Sequence, residues 1–133
     1  MEAALDNRTM SRPEFTSEVR VQYVPEQSHP PDGPFAFAYT VTIRNSGSVT
    51  AQLVARQWLI NDANGRQEEV RGLAVVGHQP LLKPGERFEY TSWTRIATPN
   101  GTMRGTFFCM TDDAQPFDTP VAEFGLNLPS ALH

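Results

Sequence analysis

Apolar and polar residues alternate along most of this 133-residue chain, with a period of two. Phe35, Phe37, Tyr39, Val41 and Ile43 alternate with Ala36, Ala38, Thr40, Thr42 and Arg44. Successive side chains of a strand point to opposite faces, so this run places its large apolar side chains on one face. Upstream, Val19, Val21 and Tyr23 alternate with Glu18, Arg20 and Gln22, and Pro25 ends that strand. A third strand is predicted from Ala51 to Ile60, with Leu53 and Leu59 against Val54, Trp58 and Ile60. A strand apolar on both faces belongs in the middle of a sheet. Arg66 to Val70 is polar and reads as an edge. From Arg87 to Ile96, Phe88, Tyr90, Ser92, Thr94 and Ile96 alternate with Arg87, Glu89, Thr91, Trp93 and Arg95. Thr102 to Met110 puts Met103, Phe107 and Cys109 on one face. A last strand runs from Phe117 to Leu128, where Pro120 implies an edge or a bulge.

Turn chemistry separates these runs. His29-Pro30-Pro31-Asp32-Gly33-Pro34 is a loop, because its prolines fix φ and remove backbone donors. Asn45-Ser46-Gly47-Ser48, Asn61-Asp62-Ala63-Asn64-Gly65, Leu82-Lys83-Pro84-Gly85-Glu86, Pro99-Asn100-Gly101 and Asp112-Asp113-Ala114-Gln115-Pro116 are further turns. No ten-residue stretch carries apolar residues at helical spacing. The pattern predicts an all-β fold: an antiparallel β-sandwich of about seven to eight strands. Trp58 is a natural plug between its two sheets. With a single cysteine there is no inter-sheet disulfide, so the antibody type is excluded and a fibronectin type III-like sandwich fits better. Residues 1–14 are polar and aperiodic and read as a disordered N-terminal tail, with Met10 an alternative start; the domain is expected over residues 15–133.

Composition narrows the setting. The 39% apolar content and this length suit one domain. The net charge of −4 and the lack of a basic stripe argue against nucleic-acid binding. No apolar run is long enough for a membrane span, and residues 1–12 lack the order of a signal peptide. A cytoplasmic setting without membrane insertion is expected.

Several runs carry more than strand periodicity. They are Phe37-Ala38-Tyr39-Thr40-Val41-Thr42-Ile43-Arg44-Asn45, Gln52-Leu53 with Arg56-Gln57-Trp58-Leu59-Ile60, and Val76-Gly77-His78-Gln79-Pro80-Leu81-Leu82 with Pro84-Gly85-Glu86. Tyr90-Thr91-Ser92, Thr98-Pro99, Gly101-Thr102-Met103-Arg104-Gly105, Pro116-Phe117 and the C-terminal Leu-Pro-Ser-Ala-Leu-His continue the order, over roughly residues 17–133. In this order these runs resemble the ApaG family, and the resemblance implies a small bacterial β-sandwich protein associated with cobalt resistance and magnesium efflux. Related domains in a eukaryotic F-box protein and a polymerase-interacting protein look like protein-binding modules. The family supplies no established catalytic residues and implies no cofactor.

The family's Gly-x-Gly-x-x-Gly loop matches Gly72, Ala74 and Gly77, with the middle glycine replaced. A dinucleotide site needs a helix start behind the glycines, and Pro80 and Pro84 forbid one. What survives is an anion or phosphate site built from Arg71, Gly72, Ala74, Gly77 and Lys83, with Arg87 nearby. The plainer alternative is a short strand at Val75 and Val76 with glycines serving turns. Metal ligation is open to His29, Asp32 and His78, and more remotely to Asp112, Asp113 and His133, none of which has metal-site spacing. Catalysis has no constellation: Ser46, Ser48 and Ser92 lack a nucleophile-elbow context, Cys109 is in phase with Phe107, and Glu68 and Glu69 point to opposite faces. Partner binding is assigned to Trp93, Arg95 and His78. Trp93 sits in a polar row, either as a surface hot spot or covering the sandwich end, and Arg95 beside it permits a cation–π contact. A non-catalytic module with a protein partner, and with a small anion or nucleotide as a further ligand, is therefore expected; the alternatives are direct divalent-cation binding, or a nucleotide or pyrophosphate sensor or phosphoester enzyme. The edges at Arg66 to Val70 and at Pro120 allow a homodimer.

Overall fold

The structure, a computed structural model, describes residues 11–129. Among these residues the strands are β1 (Phe15–Tyr23), β2 (Phe35–Asn45), β3 (Ala51–Asp62), β4 (Gln67–Leu73), β5 (Leu81–Leu82), β6 (Arg87–Ile96), β7 (Asn100–Thr111) and β8 (Pro116–Asn127). A single 3-10 turn, Pro25–Gln27, follows β1. One sheet has the order β1-β2-β6 and the other β4-β3-β7-β8, with β5 also paired to β3. All named pairings are antiparallel. This is the predicted sandwich.

The alternation in β2 becomes the core: Phe35, Phe37, Tyr39, Val41 and Ile43 are all buried. They face Trp58, which is 2% exposed and packs edge-on against Tyr39 at 5.7 Å and Phe107 at 5.7 Å. Trp58 is therefore the inter-sheet plug that its position predicted. Gly105, opposite it on β7, leaves room for the indole; a Cβ there would collide with the Trp58 ring and the Gln57 carbonyl.

β3 is central, but for a different reason than predicted. It is not buried on two faces. Its register against β7 shifts between Leu53 and Ala55, a bulge that reverses the parity of inward positions. Ala51 and Leu53 point inward before the bulge, and Trp58 and Ile60 after it. Val54 and Leu59 are only half-buried. An apparent two-faced strand is one apolar row with a phase change.

β4 is an edge, as its polarity implied, and so is β8, which carries Pro120 beside an irregularity in its pairing with β7. Residues 1–10 of the expected tail lie outside the described residues. The part that is described is tied down: the Arg12 amide donates to Ser48 Oγ at 2.7 Å, and the Ser46 amide donates to the Glu14 carbonyl at 3.0 Å. Buried Asn45 organises the same corner, its Nδ2 donating to the Val49 and Leu82 carbonyls at 2.8 and 2.9 Å. No helix among the described residues is long and apolar enough to cross a membrane.

Candidate functional site

The two sides of the sandwich differ. On one side β1 packs on β8, where Phe15 and Phe117 meet edge-on at 5.4 Å. On the other side β6 and β4 are the outer strands of their sheets, and a cleft of about 570 Å³ opens between them. Trp58 and Ile60 line it from β3, Glu68 and Val70 from β4, and Ser92 and Tyr90 from β6.

Arg56 enters this cleft because of the bulge. After the parity change it lies in the same row as Trp58 and Ile60, whose side chains face the core. Directly opposite it across the β3–β4 pair is Gly72. A Cβ at residue 72 would collide with Arg56 Nη1, so the missing side chain is the space that the guanidinium occupies. Nη1 donates to the Leu73 carbonyl at 3.2 Å.

Two phenols stand near this cation. Burial pushes the Tyr39 hydroxyl above the ordinary phenol range, against the lowering effects of its hydrogen bond with Ser92 and of Arg56. Burial pushes Tyr90 up further, with Tyr39 adding to the shift and Arg56 opposing it. Tyr90 is 7% exposed, and its buried Oη has no hydrogen-bond partner among the described residues. A buried hydroxyl left unpaired costs about 1–3 kcal/mol.

The rim is apolar and strained. Trp93 is 57% exposed and Val76 is 57% exposed, and both border the cleft. Val75 and His78 exchange backbone bonds of 2.8 and 2.9 Å around Val76 and Gly77. Val76 has φ 48° and Gly77 φ 80°, as a two-residue type I′ turn requires. A β-branched residue in the left-handed region is an outlier costing about 1–3 kcal/mol, and such strain concentrates at functional loops.

The residues singled out from sequence are divided by this geometry. Gly72 lies within β4, not in a turn, and its role is to admit Arg56. Ala74 adopts φ 70° despite its side chain, so replacing the middle glycine has not removed that backbone conformation. Gly77 serves the turn, whereas Val75 and Val76 form no strand beyond the isolated Val75–His78 bridge. The proposed anion set does not assemble. Arg71 is exposed on the alternate face of β4, ion-paired with Glu69 at 2.9 Å. Lys83 follows Leu82, which pairs with Ala51, whereas Arg71 pairs with Gln57. That is six positions along β3, about 20 Å.

Trp93 and Arg95 alternate with Ser92 and Thr94 on β6, yet border the cleft because β6 is an edge. Arg95 donates to Gln27 Oε1 at 3.2 Å. His78 is exposed with its ring 5.5 Å from that of Phe88. His29 and Asp32 share an exposed loop. Among the described residues no three His, Cys, Asp or Glu side chains come together as a metal site, and His133 lies outside them. Cys109 is buried, and desolvation pushes its thiol up to about 11. Glu68 lines the cleft, while Glu69 points elsewhere, its carboxyl lowered by the Gln57 amide at 2.6 Å and by Arg71.

Arg56, Tyr39 and Tyr90 carried no signal as site residues. The two tyrosines sit in apolar phase on their strands, and Arg56 is placed by a bulge that period-two reasoning does not register. The one available sign was Leu53-Val54 followed by inward Trp58, a parity that cannot be continuous.

A family model described as the ApaG domain matches residues 25–111. A relative described as Protein ApaG, from Ralstonia nicotianae, is 58% identical over 93% of this chain and 100% of its own. Another, from Acidovorax sp., is 53% identical over 88% of this chain and 87% of its own. A crystal structure described as the putative ApaA protein from Bordetella pertussis superposes with a TM-score of 0.87 at 52% identity, covering 90% of this chain and 98% of that one.

Proposed function

The chain belongs to the ApaG domain family, and from that membership we propose that it is a non-catalytic, cytoplasmic binding module whose working surface is the cleft between β4 and β6. The observation that carries this reading is the rim. An exposed indole and a strained, exposed valine stand across an opening that leads to buried polar groups. Trp is among the residues most enriched at interface hot spots. Strain held at Val76 is understandable if the hairpin must present that side chain. The occupant is a protein partner, received along sandwich edges as such domains commonly do. The state of the thiol supports a non-catalytic role: a buried Cys109 with its pKa raised is a poor nucleophile. The module acts in a pathway that sets tolerance to cobalt and magnesium.

The test is complementation in a strain lacking the chain, scored for cobalt tolerance and for a partner co-purifying with it. The wild type is expected to restore tolerance and retain a partner. Trp93→Ala and Val76→Asp are expected to lose both while remaining folded. Glu18→Ala, on β1, is expected to behave as the wild type. Full complementation by both cleft variants, or no partner retained by the wild type, overturns the proposal.

A further inference from the structure

We propose that the inner end of the cleft is a carboxylate socket, and that the partner fills it with an acidic side chain on an extended segment. This rests on the binding-module reading and specifies the chemistry of what is bound. Three observations converge. Arg56 is turned inward by the bulge and accommodated by Gly72, with one hydrogen bond of 3.2 Å from Nη1 to the Leu73 carbonyl. A guanidinium carries five N–H donors, so the Leu73 carbonyl leaves others to meet an oxyanion in the cleft that Arg56 lines. The Tyr90 hydroxyl is buried, unpartnered among the described residues, and belongs to a residue lining the same cleft. The Tyr39 phenol, held by Ser92, stands close enough to feel Arg56.

Charge selects the ligand class. Along the cleft, Arg56 and Arg95 face one carboxylate, Glu68, which leaves one net positive charge. That complements a carboxylate better than a phosphate dianion. The rim selects the scaffold, because Trp93 and Val76 offer apolar contact to residues flanking the acid. In an extended segment the neighbours of an inserted side chain point away from the socket and reach the rim and the β6 edge.

The proposal is tested by titrating the purified protein with a blocked tripeptide of leucine, glutamate and leucine, following backbone amide shifts by NMR. Saturable binding with Kd of about 1 mM is expected, in the range for one charge-assisted site. The matching glutamine peptide is expected to bind about tenfold more weakly, as are the glutamine peptide with a free C-terminus and inorganic phosphate. Tyr90→Phe is expected to weaken the glutamate peptide about fivefold, and Arg56→Gln to abolish saturation. Thermal unfolding confirms that each variant is folded. If Arg56→Gln is not, Gly72→Ala displaces the guanidinium without removing it and is expected to weaken binding similarly. Equal affinity for the glutamine peptide, tighter binding of phosphate or of the free C-terminus, no saturation by the glutamate peptide, or unchanged affinity in both Tyr90→Phe and the folded Arg56 or Gly72 variant overturns the socket. Failure here alongside loss of the partner in Trp93→Ala removes the socket and leaves the binding module standing.

Discussion

Arg56 and Gly72 stand opposite one another on β3 and β4, and the guanidinium occupies the space where a side chain of residue 72 would be. The atom that a Cβ would meet is the far end of a flexible side chain, so the protein can yield there at little expense. Gly72→Ala is therefore expected to change stability by less than about 1 kcal/mol, since alanine is better accommodated in a strand than glycine. It is also expected to move Arg56. Urea unfolding should show a nearly unchanged midpoint, while NMR shows perturbed resonances at Tyr39, Tyr90 and Ser92. A large stability loss would mean that the guanidinium is more rigidly held than its bond to the Leu73 carbonyl implies.

Val76 makes the opposite kind of prediction. Its backbone is left-handed at φ 48°, in a type I′ turn whose next residue, Gly77, has φ 80°. Asn-Gly is the preferred pair for that turn, and asparagine tolerates the conformation that valine resists. Val76→Asn is expected to stabilise the domain by about 1 kcal/mol, read as a higher urea midpoint at unchanged slope. The same change is expected to weaken partner retention, because it removes apolar surface from the rim. Stabilisation together with loss of binding is the signature of strain kept for function.

What was legible in the sequence follows from which contacts are local in pattern. β2 could be read at once, because its apolar residues hold one phase from Phe35 to Ile43. Trp58 could be placed between the sheets because a large aromatic on a central strand has few other destinations. The glycines misled. Gly72 and Gly77 lie five residues apart and invite a single loop reading, yet one glycine admits Arg56 within a strand and the other makes a turn. Proximity along the chain also grouped Arg71 with Lys83, which alternation and strand register separate. The inward arginine depends on a single extra residue in β3, and a bulge has no periodic signature of its own.

Gly105 tests the packing of the plug. A Cβ there would collide with the Gln57 carbonyl, which is backbone, and with the ring of Trp58, which is wedged among Tyr39, Phe107 and Phe124. Neither obstacle can swing aside. Gly105→Ala is expected to destabilise the fold by about 2–3 kcal/mol, the upper range for overpacking. Urea unfolding followed by tryptophan fluorescence checks this, and it contrasts directly with Gly72→Ala, where the same added methyl group meets only a flexible side-chain end.

Alkaline pH provides a test of the buried acids as a group. Tyr39 and Tyr90 are held above the ordinary phenol value of 10.0, and Cys109 is raised from 9.0 to about 11, in each case chiefly by burial. These groups ionise more readily in the unfolded chain, so above their unfolded pKa values the native state binds more protons. Their stabilisation is present in full below pH 9 and is lost as pH rises through the native values. For Cys109 the separation of about two units corresponds to about 2–3 kcal/mol by pH 11. Urea midpoints are expected to be level in this respect from pH 7 to about pH 9 and to fall beyond it. Cys109→Ala starts from a lower midpoint, because it removes a buried sulfur, but should fall less steeply between pH 9 and 11. Tyr90→Phe should lose part of the slope at higher pH, and its midpoint at pH 7 should match or exceed that of the wild type, because the hydroxyl it removes has no partner to lose. A markedly lower midpoint for Tyr90→Phe at pH 7 would show that this oxygen is already satisfied in solution.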